Sequence, residues 1–255
     1  MSELLNVTIV QTNLFWDSPK ENRDHLDLLL SNVGKTDVVV FPELFSTAFS
    51  VSSKAEKMDG DTLVWLEQKA KSLNALIIGS LIIENKEEKF NRLICYYPSG
   101  KFSYYDKRHL FSLMNEDHYF SKGNTKLVIN YKGWKICPLI CYDLRFPVFS
   151  RNKENYDVLV YIANWPQSRI DHWNKLLPAR AIENQAYVVA VNRIGFDANE
   201  VYFNGSSSVI DFNGSALLSL ENEEVCINTS LSKSKLINYR KKFPFLSDMD
   251  DFKII

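Results

Sequence analysis

Nowhere in the 255 residues does an uninterrupted apolar run approach the roughly 18 to 20 residues that a bilayer-crossing helix needs, so no membrane partner is expected. The opening residues, Met-Ser-Glu-Leu-Leu-Asn-Val-Thr-Ile-Val, carry an acid where a signal peptide needs a positive stretch, and a cytoplasmic protein is the expectation. Cysteine is scarce. Four residues, Cys95, Cys137, Cys141 and Cys226, do not make a disulfide framework in a chain of this length. Glycine and proline number only 9 and 8, which excludes collagen-like and low-complexity character. An excess of positive charge is also missing, because Lys and Arg total 30 against 31 for Asp and Glu, so nucleic acid is not an expected partner. The four histidines, His25, His109, His118 and His172, share no metal-ligand spacing with one another or with Cys137 and Cys141, and no metal site is expected. Gly-x-Ser-x-Gly, Gly-x-Gly-x-x-Gly and phosphate-loop patterns are all absent, which leaves a serine-hydrolase elbow, a dinucleotide site and a nucleotide hydrolase without support and predicts no cofactor.

What is present is the balance of a folded core, with 45% hydrophobic and 24% charged residues, and one domain over 1–255 is the first expectation. Apolar runs rich in Val, Ile and Tyr predict strands at 4–11, 37–41, 75–83, 90–97, 102–105, 127–130, 134–140, 158–163, 187–192, 202–211 and 216–220. Ser18-Pro19 and Asp61 open helical patterns, and a third helix is expected over 172–184 with a break near Leu177, because Pro178 would lie inside it. Turn signals at Pro98-Ser99-Gly100, Lys132-Gly133 and Asn213-Gly214 demand antiparallel hairpins, while other strands are joined by helices. The sheets are therefore mixed. An α/β fold of two sheets packed face to face with helices outside follows, and a C-terminal tail at about 232–255, with a solvated helix over 233–242, is expected to be able to reach a partner subunit.

Three reactive residues stand just past the carboxyl ends of predicted strands, where ligands collect in layered α/β folds: Glu43 after Val-Val-Val-Phe-Pro, Lys107 after Tyr-Tyr-Asp, and Cys141 after Pro-Leu-Ile. Each alone has an ordinary structural reading. Together they make a set sufficient for acyl transfer. A carboxylate can take a thiol's proton, and an ammonium can hold the oxyanion that forms when sulfur attacks a carbonyl carbon.

Phe41-Pro42-Glu43, Tyr105-Asp106-Lys107-Arg108-His109-Leu110-Phe111 and Ile140-Cys141-Tyr142-Asp143-Leu144-Arg145-Phe146-Pro147 resemble, in order and spacing, the three catalytic motifs of the nitrilase superfamily of carbon-nitrogen hydrolases. The stretches 141–152, 163–166 and 179–188 resemble its bacterial omega-amidase branch. The resemblance implies an αββα sandwich, a homodimer or higher homo-oligomer joined through the helices on the Cys141 side, and hydrolysis of the ω-amide of a small dicarboxylate monoamide such as 2-oxoglutaramate or 2-oxosuccinamate, through a thioester acyl-enzyme. It also implies Cys141 as nucleophile, Glu43 as general base, Lys107 and the backbone N–H of Tyr142 as oxyanion donors, and Glu116 as the residue that orients substrate or lysine. Arg145, Trp165 and Phe45 are candidates to line the substrate pocket. One of Arg108, Arg145, Arg169 and Arg180 could clamp a substrate carboxylate, and Asp143 with Arg145 could form an ion pair that fixes the turn after Cys141. Gly205-Ser206-Ser207 departs from relatives that place an Asp after this glycine, which speaks against a charged role there. The rival readings are an N-carbamoyl amino acid amidohydrolase or nitrilase, and a nitrilase-like binding protein without catalysis.

Overall fold

Side chains on a strand alternate between two faces, and most strands of this chain are apolar on both, so each sheet has to be covered twice. The computed structural model, which describes residues 2–254, shows how this is done. In chain order the elements are β1 (Leu4–Gln11), α1 (Pro19–Leu30), β2 (Val38–Val40), α2 (Asp61–Leu73), β3 (Leu76–Asn85), β4 (Glu88–Tyr96), β5 (Phe102–Asp106), α3 (Glu116–Tyr119), β6 (Ile129–Tyr131) and β7 (Trp134–Ile140). They continue with α4 (Pro147–Ser150), β8 (Val158–Ala163), α5 (Ile170–Asn184), β9 (Tyr187–Asn192), β10 (Ile194–Phe196), β11 (Tyr202–Asn204), β12 (Ser208–Ile210), β13 (Ala216–Ser219), β14 (Val225–Ser232) and α6 (Lys233–Lys242).

One six-stranded sheet has the order β14-β1-β2-β3-β4-β5 and the other β13-β12-β9-β8-β7-β6, while β10 and β11 form a separate hairpin. Both large sheets are mixed, with parallel centres at β1-β2-β3 and β7-β8-β9. Val38, Val40, Leu76 and Ile78 of the first sheet share a core with Ile136, Val158 and Val160 of the second. Val39 and Ile77, one residue out of phase, pack instead with Leu26 and Leu30 of α1 and Leu63 and Leu66 of α2. Helix α5 packs on β9 and buries Trp173, Leu177 and Ala181. The result is the expected αββα sandwich.

Three expectations are corrected. Strand β14 has no counterpart in the strands read from sequence, yet it pairs antiparallel with β1 along its whole length, from Leu4 opposite Ser232 to Gln11 opposite Val225. The run 202–211 divides into β11 and β12 where Gly205 and Ser206 adopt φ of +71° and +61°. Helix α5 runs unbroken through Pro178. An interior proline costs about 3 kcal/mol, and the fully buried side chains of Trp173, Leu177 and Ala181 on both sides of it offset that, at roughly 1.5 to 3 kcal/mol for each large one. The tail helix α6 is present and docks on its own chain: Leu236 is buried, and Arg240 donates to the carbonyls of Gln185 and Tyr156. Among the described residues no helix is long and apolar enough to cross a membrane.

Candidate active site

Strand β2 ends at Val40, and Phe41-Pro42 carry the chain to Glu43, whose side chain is fully buried. Leu44 follows at φ +47° and gives its N–H to the Ser80 hydroxyl at 2.8 Å, which fixes the turn that aims the carboxylate inward. Lys107 follows β5 directly and is also buried. Its Nζ donates to Glu43 Oε1 at 2.7 Å and to both Glu116 oxygens at 2.9 and 2.8 Å. Glu116 opens α3 and accepts the Phe111 N–H at 2.7 Å. Cys141 comes off the end of β7 with φ +43°, a left-handed conformation costing a non-glycine residue about 1 to 3 kcal/mol, as is common where a side chain must be presented at a site.

Two asparagines that sequence reasoning did not single out complete the arrangement. Asn91, fully buried on β4, donates to Glu43 Oε1 at 2.9 Å and Glu116 Oε1 at 3.1 Å. Asn164, just past β8, gives its backbone N–H to Glu43 Oε2 at 2.9 Å and its side-chain amide to the Glu43 carbonyl at 2.7 Å, so the second sheet holds the carboxylate of the first. Asn192 in turn fixes the neighbouring Trp165 by accepting its N–H and donating to its carbonyl. The signal for Asn91 was an amide in the run from Phe90 to Tyr96, which is apolar but for it and Arg92. A buried amide NH2 needs acceptors, and here they are the two carboxylates.

The protons divide accordingly. Burial works against the Lys107 charge, but Glu116 and then Glu43 outweigh it and push its pKa above the ordinary lysine value. Burial raises Glu116, and the Glu43 charge adds to it against the pull of Lys107. Every polar contact of Glu116 is nonetheless a donor, namely Lys107, Asn91 and the Phe111 N–H, which leaves no acceptor for a carboxylic proton. Glu116 is therefore the permanent anion that anchors Lys107. The Cys141 thiol is held well above its usual value by burial first and the Glu43 charge second, Lys107 opposing, so it rests protonated, with its Sγ 4.0 Å from the Asn164 carbonyl oxygen. Glu43 can take that proton when sulfur attacks.

Cys141 and Lys107 open into a cavity of about 160 Å³. Phe49, Phe111 and Trp165 supply apolar wall, Tyr142 lies beside Cys141, and two guanidiniums, Arg145 and Arg169, face the same space. Arg145 lies 4.8 Å over the Trp165 ring and meets His172 Nδ1 at 3.1 Å, while Arg169 lies 5.2 Å over Phe111. Burial pulls the Arg169 pKa down, with Arg145 adding to it against Cys141, yet a guanidinium stays charged at neutral pH. Among the described residues no group of three or more His, Cys, Asp or Glu is arranged to hold a metal ion.

Several residues are not where the sequence suggested. Phe45 does not line the cavity; it is buried against Phe41 at 5.0 Å and Trp65 at 6.0 Å, because the turn after Glu43 sends it outward under α2 and brings Phe49 to the wall. Asp143 and Arg145 do not pair. Asp143 turns inward to Tyr105, His109 and the Ile140 N–H, and Arg145 turns to the cavity. Arg180 is buried with its Nε and Nη2 on the Leu144 carbonyl, and Arg108 stacks on Phe149 away from the cavity, so neither can meet a ligand there. Gly205 and Ser206 serve through their backbone carbonyls, which receive Asn192 Nδ2 and Trp173 Nε1.

Backbone contact also positions Lys107. The Gly123 N–H donates to the Lys107 carbonyl at 2.9 Å, and a Cβ at Gly123 would lie 2.1 Å from the Asp106 carbonyl oxygen, a clash with main chain that no rotamer relieves. Gly123→Ala is expected to displace the lysine and lower kcat about 10²-fold, the usual cost of a misplacement near 1 Å, as read by steady-state kinetics.

The model of the carbon-nitrogen hydrolase family matches residues 6–239. Omega-amidase YafV of Escherichia coli (strain K12) is 40% identical over 252 residues, covering 98% of each chain. The 2-oxoglutaramate amidase of Bacillus subtilis (strain 168) is 32% identical over 251 residues, covering 95% of this chain and 96% of that one. Among solved structures, XC1258 from Xanthomonas campestris, a CN-hydrolase superfamily protein with an arsenic adduct in its active site, superposes with a TM-score of 0.97 at 40% identity, covering 100% of both chains.

Proposed function

The chain belongs to the carbon-nitrogen hydrolase family, and from that premise we propose that it is a cysteine amidase that hydrolyses the ω-amide of a small dicarboxylate monoamide, such as 2-oxoglutaramate or 2-oxosuccinamate, to the acid and ammonia. The observation that carries the reading is one cavity with Cys141 and Lys107 at its base and Arg145 and Arg169 in its wall. A guanidinium takes a carboxylate in a bidentate grip, which would set the far end of the substrate and leave the amide carbon at sulfur. The names of the Escherichia coli and Bacillus subtilis relatives support the same substrate class.

In the proposed reaction the Cys141 sulfur attacks the amide carbon as Glu43 takes its proton. Lys107 and the Tyr142 N–H hold the oxyanion, which is stabilised most when its donors are fixed in advance in a site shielded from water. Glu43 then gives the proton to the leaving nitrogen, the C–N bond breaks, and ammonia departs from a thioester. Water attacks the thioester carbon with its proton going to Glu43, the C–S bond breaks, and the proton returns to sulfur as the acid leaves. The homodimer or higher homo-oligomer that the family resemblance implies would form on the face of α4 and α5, where Val148 and Ile182 are 56% and 52% exposed.

Ammonia release from 2-oxoglutaramate, succinamate, butyramide, glutamine, an N-carbamoyl amino acid and a small nitrile, compared under one set of conditions, tests the proposal. 2-Oxoglutaramate and succinamate should lead in kcat/KM. Butyramide or the nitrile leading would overturn the assignment, the carbamoyl compound leading would move the chain to that branch, and no turnover of any would leave a binding protein.

A further inference from the structure

His109 stands two residues after Lys107, and Asp143 two residues after Cys141. Their side chains meet across the seam between the two sheets, with His109 Nδ1 2.7 Å from Asp143 Oδ1. The His109 backbone N–H reaches the same oxygen at 3.2 Å. The other oxygen, Oδ2, accepts the Tyr105 hydroxyl at 2.8 Å and the Ile140 N–H at 3.0 Å. Tyr105 in turn accepts the Arg108 N–H at 3.0 Å. One fully buried carboxylate thus ties the Tyr105 side chain before the lysine and the His109 main chain after it to the main chain that delivers the cysteine. The imidazole is itself immobilised, stacked on Phe146 with centroids 3.8 Å apart and planes within 6°, and edge-on to Phe149 at 5.3 Å.

We propose that His109 and Asp143 are positioning residues, a bridge that holds the Cys141 turn in register with the Lys107 ammonium. The need for one follows from construction: the lysine is carried by β5 of the first sheet and the thiol by β7 of the second. Attack geometry tolerates less than about 1 Å of drift before rates fall by about 10²-fold. Cys141 also sits at φ +43°, a conformation that persists only where surrounding contacts over-determine it, and the Ile140 N–H on Asp143 is such a contact. The His109 and Ile140 N–H groups and the Tyr105 hydroxyl already donate to Asp143, and His109 meets the same carboxylate as a donor from Nδ1.

This inference rests on the proposed reaction, and its test separates the two. His109→Phe keeps a ring to stack on Phe146 and removes the donor, whereas His109→Asn removes the ring and keeps an N–H near the position of Nδ1. Three quantities are measured on each full-length variant: kcat and KM on 2-oxoglutaramate, Tm, and the rate at which iodoacetamide alkylates Cys141, followed by peptide mass. His109→Phe should lower both kcat and the alkylation rate about 10- to 100-fold, with KM within about twofold and Tm lowered by only a few degrees; His109→Asn should restore most of both rates. Unchanged rates in His109→Phe, or an Asn variant that is no better, would overturn the bridge. Alkylation needs no substrate. If no amide is turned over but alkylation still follows the donor, the reaction proposed above fails and the bridge stands.

Discussion

Cys141→Ala is expected to lower ammonia release from an ω-amide by a factor on the order of 10⁶, the scale of loss when the nucleophile of a covalent mechanism is removed. The fold should survive, because Cys141 lines the cavity and removing its sulfur leaves the core intact. The comparison that gives the experiment force is with the other three thiols. Burial raises the pKa of Cys95 and Cys137 strongly and that of Cys226 to about 11. It raises Cys141 as well, so resting acidity does not distinguish the four. Position does: among these residues Cys141 opens to the cavity and has Glu43 beside it to receive the proton. Cys95→Ala and Cys137→Ala should cost stability, roughly 1 to 2 kcal/mol each for a small buried side chain, with kcat retained. Cys226→Ala should change little. A Cys141→Ala protein with near-normal turnover would remove the thioester route altogether.

The strand ends were legible in sequence, and at Glu43 the end is a chemical contradiction. Val38-Val39-Val40-Phe41 can only be a buried strand, so the acid that follows Pro42 is either expelled to solvent or kept for a purpose; Lys107 and Cys141 share only the place just past a strand, β5 being largely exposed and a cysteine being at home after the apolar end of β7. That kind of signal depends on neighbours in the chain. What could not be read depends on neighbours in space. Asn91 pairs with Glu43 and Glu116 across 48 and 25 residues, and Asn164 reaches Glu43 across 121. Asp143 is flanked by Arg145, and local reasoning paired the two; the fold instead turns Asp143 toward β5 and Arg145 toward the cavity. Phe45 and Phe49 are alike in sequence terms, and the positive φ values at Leu44 and Ala48 decide which of them meets the ligand space. Strand β14 was missed because only Leu231 on it is fully buried: it is held by its hydrogen-bonded ladder to β1 more than by an apolar face.

Lys107→Arg is expected to lose kcat by about 10²- to 10³-fold, nearly as much as Lys107→Ala, although it preserves the charge. The ammonium is fully enclosed and lies within 2.7 to 2.9 Å of three carboxylate oxygens. A guanidinium is planar and wider, and its two-pronged grip suits the Glu116 carboxylate, so Arg would pair there and carry its charge away from the point where the oxyanion forms. The two substitutions should then part company on stability. Lys107→Ala leaves Glu43 and Glu116 buried together without a counter-ion, a loss of about 3 to 5 kcal/mol, and should lower Tm by many degrees. Lys107→Arg keeps the charge balance and should melt closer to wild type while remaining almost inactive. Measured side by side, kcat and Tm thus separate the shape of the cation from its sign. An arginine variant retaining a third or more of the wild-type kcat would mean that Lys107 acts through its field at a distance, and direct contact with the oxyanion would have to be given up.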